Sequence, residues 1–274
     1  MKKKISVLVA AALAVSAAIF AGSSTASAAE NTAGYNLVKP GSLVVGMTLQ
    51  FRPQMYLDED GNPAGYDVAL VKRLASDLGL KLEIKNMDFG GLIPGLVSKQ
   101  FDLVSVGLTN TAERSKSILF AREYVPYSTG LFTTRKSTRA ASISAWDAAG
   151  VKITALQGSS AAKLVKSTFP KATLVEFAQQ NSAFLEVASG RADATVVEDY
   201  LANDYSKSNP GQIVQVKLAK PIAVGYGSWA VQLGNTPLKN RLNKWLCSKQ
   251  KTRTLATIYK KEMGFNMAPL PENC

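Results

Sequence analysis

Leu80-Lys81-Leu82-Glu83-Ile84-Lys85, then Leu92-Ile93-Pro94-Gly95-Leu96-Val97, then Phe101-Asp102-Leu103-Val104-Ser105-Val106: across these three short runs the hydrophobic period changes twice. In the first run, apolar residues alternate with Lys and Glu, the pattern of a strand with one polar face. In the second, Leu92, Ile93, Leu96 and Val97 share one side of a short helix. The third is a mostly apolar run and reads as a strand. Working upstream, Val68, Val71, Leu74, Ala75 and Leu78 recur at helical spacing, with Lys72, Arg73 and Asp77 on the other face, and Leu43-Val44-Val45-Gly46-Met47 is one more short apolar strand. The order is β-α-β-α-β, which implies a largely parallel sheet covered by helices, since each crossover must carry the chain back to the same end of the sheet.

Working downstream, the pattern restarts. Val151 to Leu156 reads as a strand, Ala161 to Lys166 begins a helix, and Thr173 to Phe177 is a strand. A helix around Phe184, Leu185, Val187 and Ala188 and a strand from Ala194 to Val197 complete the cycle. The segment from Lys136 to Ala148, rich in Ser, Ala and Thr, separates the two halves. After Pro221 come one more strand, Trp229 to Gln232, and two helices, the first opened by Thr236 as N-cap with Pro237 at N1. The expected fold class is therefore α/β, two similar lobes joined by two crossing strands. The cleft between them is the usual place for a small ligand. The divisions expected are a leader over 1–28, a discontinuous first lobe over 38–131 plus 226–274, and a second lobe over 132–225.

The leader has the order of a secretory signal peptide. Lys2, Lys3 and Lys4 are followed by an uncharged apolar run from Ile5 to Gly22, and Ala26-Ser27-Ala28 supplies small residues for cleavage near Ala28. No cysteine adjoins that site for lipid attachment, so the expected location is the periplasm. The only two cysteines, Cys247 and Cys274, both lie near the C-terminus. In an oxidising compartment an even pair reads as one disulfide, with two free thiols as the alternative.

There is no histidine, which removes Ser-His-Asp and Cys-His nucleophilic sites and the commonest metal ligand. Without the three leader lysines the net charge is +9. The basic residues are dispersed rather than clustered with aromatics, so solubility and mild steering of anions account for the excess better than nucleic acid does. No nucleic-acid partner and no cofactor are expected.

Four motifs carry a resemblance. They are Asp60-Gly61-Asn62-Pro63-Ala64-Gly65-Tyr66-Asp67-Val68, Asp88-Phe89 with Leu92-Ile93-Pro94, Gly107-Leu108-Thr109-Asn110-Thr111-Ala112-Glu113-Arg114, and Gln157-Gly158-Ser159-Ser160. In this order and spacing the chain, from about Gly41 to Gly264, resembles the polar amino-acid family (family 3 type) of periplasmic solute-binding proteins, the extracytoplasmic receptors of ABC importers. The resemblance implies the type II periplasmic-binding-protein fold, a monomer, an amino-acid ligand captured by hinge closure, and delivery to a membrane permease.

Physical reasoning and the resemblance then converge on a site. Asn110 or Thr111 is placed to cap a new helix whose first turn holds Arg114 beside unpaired backbone amides, an arrangement suited to a planar carboxylate. The resemblance gives Arg114 the ligand α-carboxylate, with Gly107 and Thr109 binding the carboxylate and amine. Ser159 and Ser160, at a strand-to-helix turn, would complete the carboxylate cage from the other lobe. Glu198 falls where the family usually has Asp and is assigned the ligand amine. Asp199 follows immediately, so the register is open by one residue. Phe51 and Phe89 occupy the two positions whose rings sandwich the ligand side chain in the family.

Two departures bear on specificity. Relatives that bind basic amino acids tend to carry an acid where this chain has Thr48, and Gln54 replaces the phenylalanine common after the Pro53 position. A cationic side chain would lack its partner, and burying it unpaired is costly. A small neutral or acidic polar amino acid is therefore expected, and no catalysis. The alternative is a cyclohexadienyl-type dehydratase on the same fold, with Glu198 as its acid or base.

Overall fold

The computed structural model describes residues 34–271 and Cys274; the leader over 1–28 lies outside the described residues. The chain runs through β1 (Ser42–Met47), a small antiparallel sheet of β2 (Gln50–Phe51), β3 (Met55–Leu57) and β4 (Pro63–Ala64), helix α1 (Tyr66–Leu78), β5 (Lys81–Asn86), α2 (Leu92–Val97) and β6 (Leu103–Thr109). There follow β7 (Ile118–Thr134), α3 (Ile143–Trp146), β8 (Lys152–Leu156), α4 (Ser160–Thr168), β9 (Thr173–Phe177), α5 (Gln180–Ala188), β10 (Ala194–Glu198), α6 (Asp199–Ser208) and β11 (Ile213–Gln215). Strand β12 (Ala223–Gln232) and helices α7 (Thr236–Lys251) and α8 (Thr254–Met263) close the order.

Each lobe contains the parallel sheet that its βαβ rhythm requires. In the first, β1 pairs in parallel with both β5 and β6. In the second, β8 pairs in parallel with β9 and β10. Both are joined through two long strands into one continuous sheet of order β5-β1-β6-β12-β7-β10-β8-β9, with β11 also on β7. At roughly 3.3 Å per residue, the 17 residues of β7 are long enough to traverse both lobes. β7 lies antiparallel to β12 from Ile118↔Gln232 to Thr129↔Ala223, and its far end pairs with β10.

The first lobe's core is built where α1, α7 and α8 pack on that sheet. Trp229 on β12 lies 5.2 Å from Tyr124 and 5.7 Å from Trp245, and Tyr66 meets Tyr259 edge-on at 5.1 Å between ring centroids. The second lobe has its own cluster around Leu131, Ile153, Val165, Phe169 and Val196. No helix among the described residues is long and apolar enough to cross a membrane.

Three local expectations are corrected. The Lys136 to Ala148 segment does not separate the lobes: its Ile143–Trp146 part folds into α3, and Trp146, 1% exposed, is part of the second lobe's core with its indole N–H on the Ala140 carbonyl at 3.0 Å. Helix α7 is capped one residue earlier than expected, by Asn235, whose Oδ1 accepts from the Leu238 amide at 3.3 Å. The expected disulfide is not seen: Cys247 and Cys274 are free thiols in this structure, the alternative that the sequence left open. The tail brings them together: Cys247 Sγ lies 3.9 Å from the Cys274 carbonyl oxygen, Cys274 Sγ lies 3.8 Å from Gln250 Oε1, and the two thiols also neighbour each other.

Candidate functional site

The lobes close on each other over a cavity with about 40 Å³ accessible to the centres of water molecules. That is more than the roughly 10–15 Å³ that admits one water. On the first-lobe side, β6 ends at Gly107 and Thr109, and the chain then turns to bring Arg114 back under the cavity. The expected helix is a single 3-10 turn, Arg114–Lys116. Thr111 Oγ1 accepts from the Arg114 amide at the start of this turn, at 3.2 Å.

Arg114 is 7% exposed. One guanidinium nitrogen donates to the Thr109 carbonyl at 3.0 Å, the other to the Gly158 carbonyl of the opposite lobe at 3.1 Å. Among the described residues no carboxylate forms an ion pair with it. Glu113 instead pairs with Lys163 across the cleft. Burial lowers the Arg114 pKa, the mark of a cation partly stripped of water without full compensation.

The second lobe presents the N-terminus of α4. Gly158 there has φ +71°, a left-handed turn that a side chain would strain. The Ser159 hydroxyl caps the helix by accepting from the Ala162 amide at 3.1 Å, and the Ser160 hydroxyl accepts from Thr109 Oγ1 at 3.2 Å. Strand β10 delivers Glu198 to the cavity wall. Burial pushes its carboxyl pKa up and the adjacent Asp199 adds to this, while Arg114 opposes it.

Phe51, Phe89, Gly107, Thr109, Arg114, Ser159, Ser160 and Glu198 all line this cavity. Thr48 and Asp199 do not. Thr48 is buried at the end of β1, where its hydroxyl accepts from Gln50 Nε2 at 2.8 Å. Asp199 opens α6 facing away, accepting from Ser128 Oγ at 2.7 Å and Gln215 Nε2 at 3.3 Å. The phenylalanines form a corner rather than a sandwich: their centroids lie 6.2 Å apart at 44°. A planar group between them would need about 7–8 Å, two carbon contact distances.

Residues that sequence reasoning did not find complete the wall: Gln54, Tyr127, Gln180 and Tyr200. Tyr127 sits on the crossing strand β7 and shares a 2.8 Å hydrogen bond with Thr109 Oγ1. Tyr200 donates to Gln54 Oε1 at 2.5 Å across the lobes. The replacement of phenylalanine by Gln54 was the one signal available, and it points into this wall. Among the described residues no group of three potential ligands could hold a metal ion.

Two α/β lobes clasping a small cavity, with one buried cation and one carboxylate in its lining, define a protein that encloses a small solute. The chain belongs to family 3 of the bacterial extracellular solute-binding proteins, whose profile matches residues 43–265. It is 33% identical over 169 residues to the arginine-binding extracellular protein ArtP of Bacillus subtilis, covering 61% of this chain and 65% of that protein. Among solved structures it is similar to an ancestral amino-acid-binding protein, AncCDT-1, described as a precursor of cyclohexadienyl dehydratase. That match has 30% identity and a TM-score of 0.74, covering 81% of this chain and 95% of the other. An ancestral arginine-binding protein bound to glutamine gives 33% identity and a TM-score of 0.75, covering 83% of this chain and all of that one.

Proposed function

We propose that this chain, after loss of residues 1–28, captures a small neutral or acidic polar amino acid in the periplasm as a monomer and delivers it to the permease of an ABC importer. The observation that carries this reading is the pair Arg114 and Glu198 in one closed cavity, neither ion-paired to the protein among the described residues. A buried charge without a counter-ion is costly. An amino-acid zwitterion supplies both counter-ions, its carboxylate at Arg114 and the α4 N-terminus, its ammonium at Glu198. The first lobe (38–131 with 226–274) and the second (132–225) would swing about the crossing of β7 and β12.

The side chain of the ligand follows from what remains. Among the described residues Glu198 is the only carboxylate in the lining, and the ammonium uses it. Arginine or lysine would bury a second cation against neutral amides and hydroxyls, although several relatives are named for arginine. A thermal-shift panel of the twenty amino acids tests this. Stabilisation grows as RT ln(1 + [L]/Kd), so the tightest ligand gives the largest shift. Neutral or acidic polar amino acids are expected to lead; a lead by arginine or lysine would overturn the side-chain assignment.

A second reading, a cyclohexadienyl-type dehydratase, draws on Glu198. Its raised pKa suits a general acid, and one solved relative is described as a precursor of such an enzyme. Formation of product from prephenate or arogenate by the purified protein would favour it over the receptor.

A further inference from the structure

Gln54 is held in one orientation by groups that have no choice of direction. Asp67 is 0% exposed, and Gln54 Nε2, Ser105 Oγ and the Tyr124 hydroxyl all converge on its carboxylate. Two of these chains begin at obligate donors. The Trp229 indole N–H donates to Ser105 Oγ at 2.7 Å, and the Gly107 backbone N–H donates to the Tyr124 hydroxyl at 2.7 Å. With Asp67 ionised, Ser105 and Tyr124 pass their own protons to it, and it accepts all three hydrogen bonds.

The third chain runs outward to the cavity. With its Nε2 committed to Asp67, Gln54 turns Oε1 toward Tyr200, and an amide oxygen only accepts, so the Tyr200 hydroxyl donates to it. The Tyr200 oxygen and the second lone pair of Gln54 Oε1 are then left as acceptors in the lining of the cavity. The same lining holds Gln180, 3% exposed, whose Nε2 is buried with no hydrogen-bond partner in the structure. Gln180 also borders an outer groove lined by Gln50, Arg52 and Asp204; buried donors are nearly always satisfied, and its amide is the unpaired donor available to an acceptor in the cavity.

We infer that Gln54, Tyr200 and Gln180 are specificity-determining residues for a primary carboxamide side chain, whose NH₂ donates to Tyr200 and Gln54 and whose C=O accepts from Gln180. This rests on the amino-acid reading above and goes beyond it by naming the side-chain class, glutamine or asparagine. A carboxylate would satisfy Gln180 but face the two acceptors. A guanidinium would satisfy the acceptors but face the Gln180 donor with no anion to neutralise it. Of the three, only the amide offers both functions.

The test is calorimetric titration of the purified chain with L-glutamine, L-asparagine, L-glutamate and L-arginine, repeated on Tyr200→Phe and Gln180→Glu. One of the two amides should bind at least about ten-fold more tightly than glutamate and arginine, the worth of one hydrogen bond in a closed site. Tyr200→Phe keeps the ring and should narrow the preference for the amide over glutamate, while Gln180→Glu should move the preference toward arginine. Each variant's thermal unfolding shows whether it is folded. Glutamate or arginine binding as tightly as both amides would overturn the inference and leave the amino-acid reading standing, as would unchanged ratios in both folded variants. Binding of none of the four would overturn that reading and this inference with it.

Discussion

At the scale of single residues, the site divides by charge. The place of Glu198 and Arg114 in the cavity lining was legible, because a charged residue at a strand end stands out in the one case and a motif surrounds the residue in the other. Glu198 and Asp199 were not separable in the sequence, since both are acids at the junction of β10 and α6. The fold separates them: Glu198 still belongs to the strand that ends at the cavity, while Asp199 opens the helix on the other side, held by Ser128 and Gln215. Thr48 misled because a residue just before an aromatic wall looks close to it, whereas the β1 terminus turns it inward to Gln50. Gln180 and Tyr200 gave no signal of their own, being neutral residues whose role exists only once the lobes meet, and Gln54 showed only as a departure from the family's phenylalanine. Arg114→Ala or Arg114→Lys is expected to weaken amino-acid binding by on the order of 2–5 kcal/mol, because the ligand carboxylate loses its forked partner. Asp199→Asn is the control and should bind nearly as the parent; calorimetry of the three proteins checks the ranking.

At the scale of elements, most of the βαβ rhythm could be read, because its strands and helices each keep one face buried along their length. β7 could not. Its sequence ILFAREYVPYSTGLFTT carries Arg122, Glu123 and Pro126, and its burial follows no two-residue period, because the strand leaves one lobe and enters the other midway. Its partner β12 absorbs the change with register shifts around Gly227, Ser228 and Ala230. Gly227 is fixed there by space: a Cβ would lie 2.4 Å from the Gly107 Cα and 2.6 Å from its carbonyl oxygen, backbone that has nowhere to go. Gly227→Ala should push β12 off β6 beside the cavity, destabilising the chain by about 1–3 kcal/mol as overpacking does. Urea unfolding measures this, and an unchanged midpoint would mean that β6 and β12 are not packed as closely as described.

At the scale of the whole molecule, the first lobe is organised around a buried acid. Burial raises the Asp67 carboxyl from 3.8 to about 6, against hydrogen bonds from Ser105, Tyr124 and Gln54 that lower it. Between those values the folded chain holds a proton that the unfolded chain has released. Asp67 therefore contributes stability that is present below 3.8 and is lost as pH rises through about 6, roughly 3 kcal/mol over the window. Chemical denaturation from pH 4 to pH 7 should show this fall, and Asp67→Asn should flatten it whatever its effect on absolute stability; a slope unaltered by the substitution would contradict the assignment.

The two lobes themselves were legible as a repeated pattern, and their closure was not, because it depends on contacts between residues far apart in sequence, such as Arg114 with Gly158 and Tyr200 with Gln54. In the function proposed, closure traps a zwitterion between Arg114 and Glu198. The most direct test of this is one calorimetric cycle: L-glutamine and its deaminated analogue 4-carbamoylbutanoate, each titrated into the parent chain and into Glu198→Gln. Removing the amine should cost the parent about a hundred-fold in affinity, and this difference should largely collapse in Glu198→Gln, where the carboxylate that pairs the amine is gone. An equal loss in both proteins would show that the amine is not bound at Glu198.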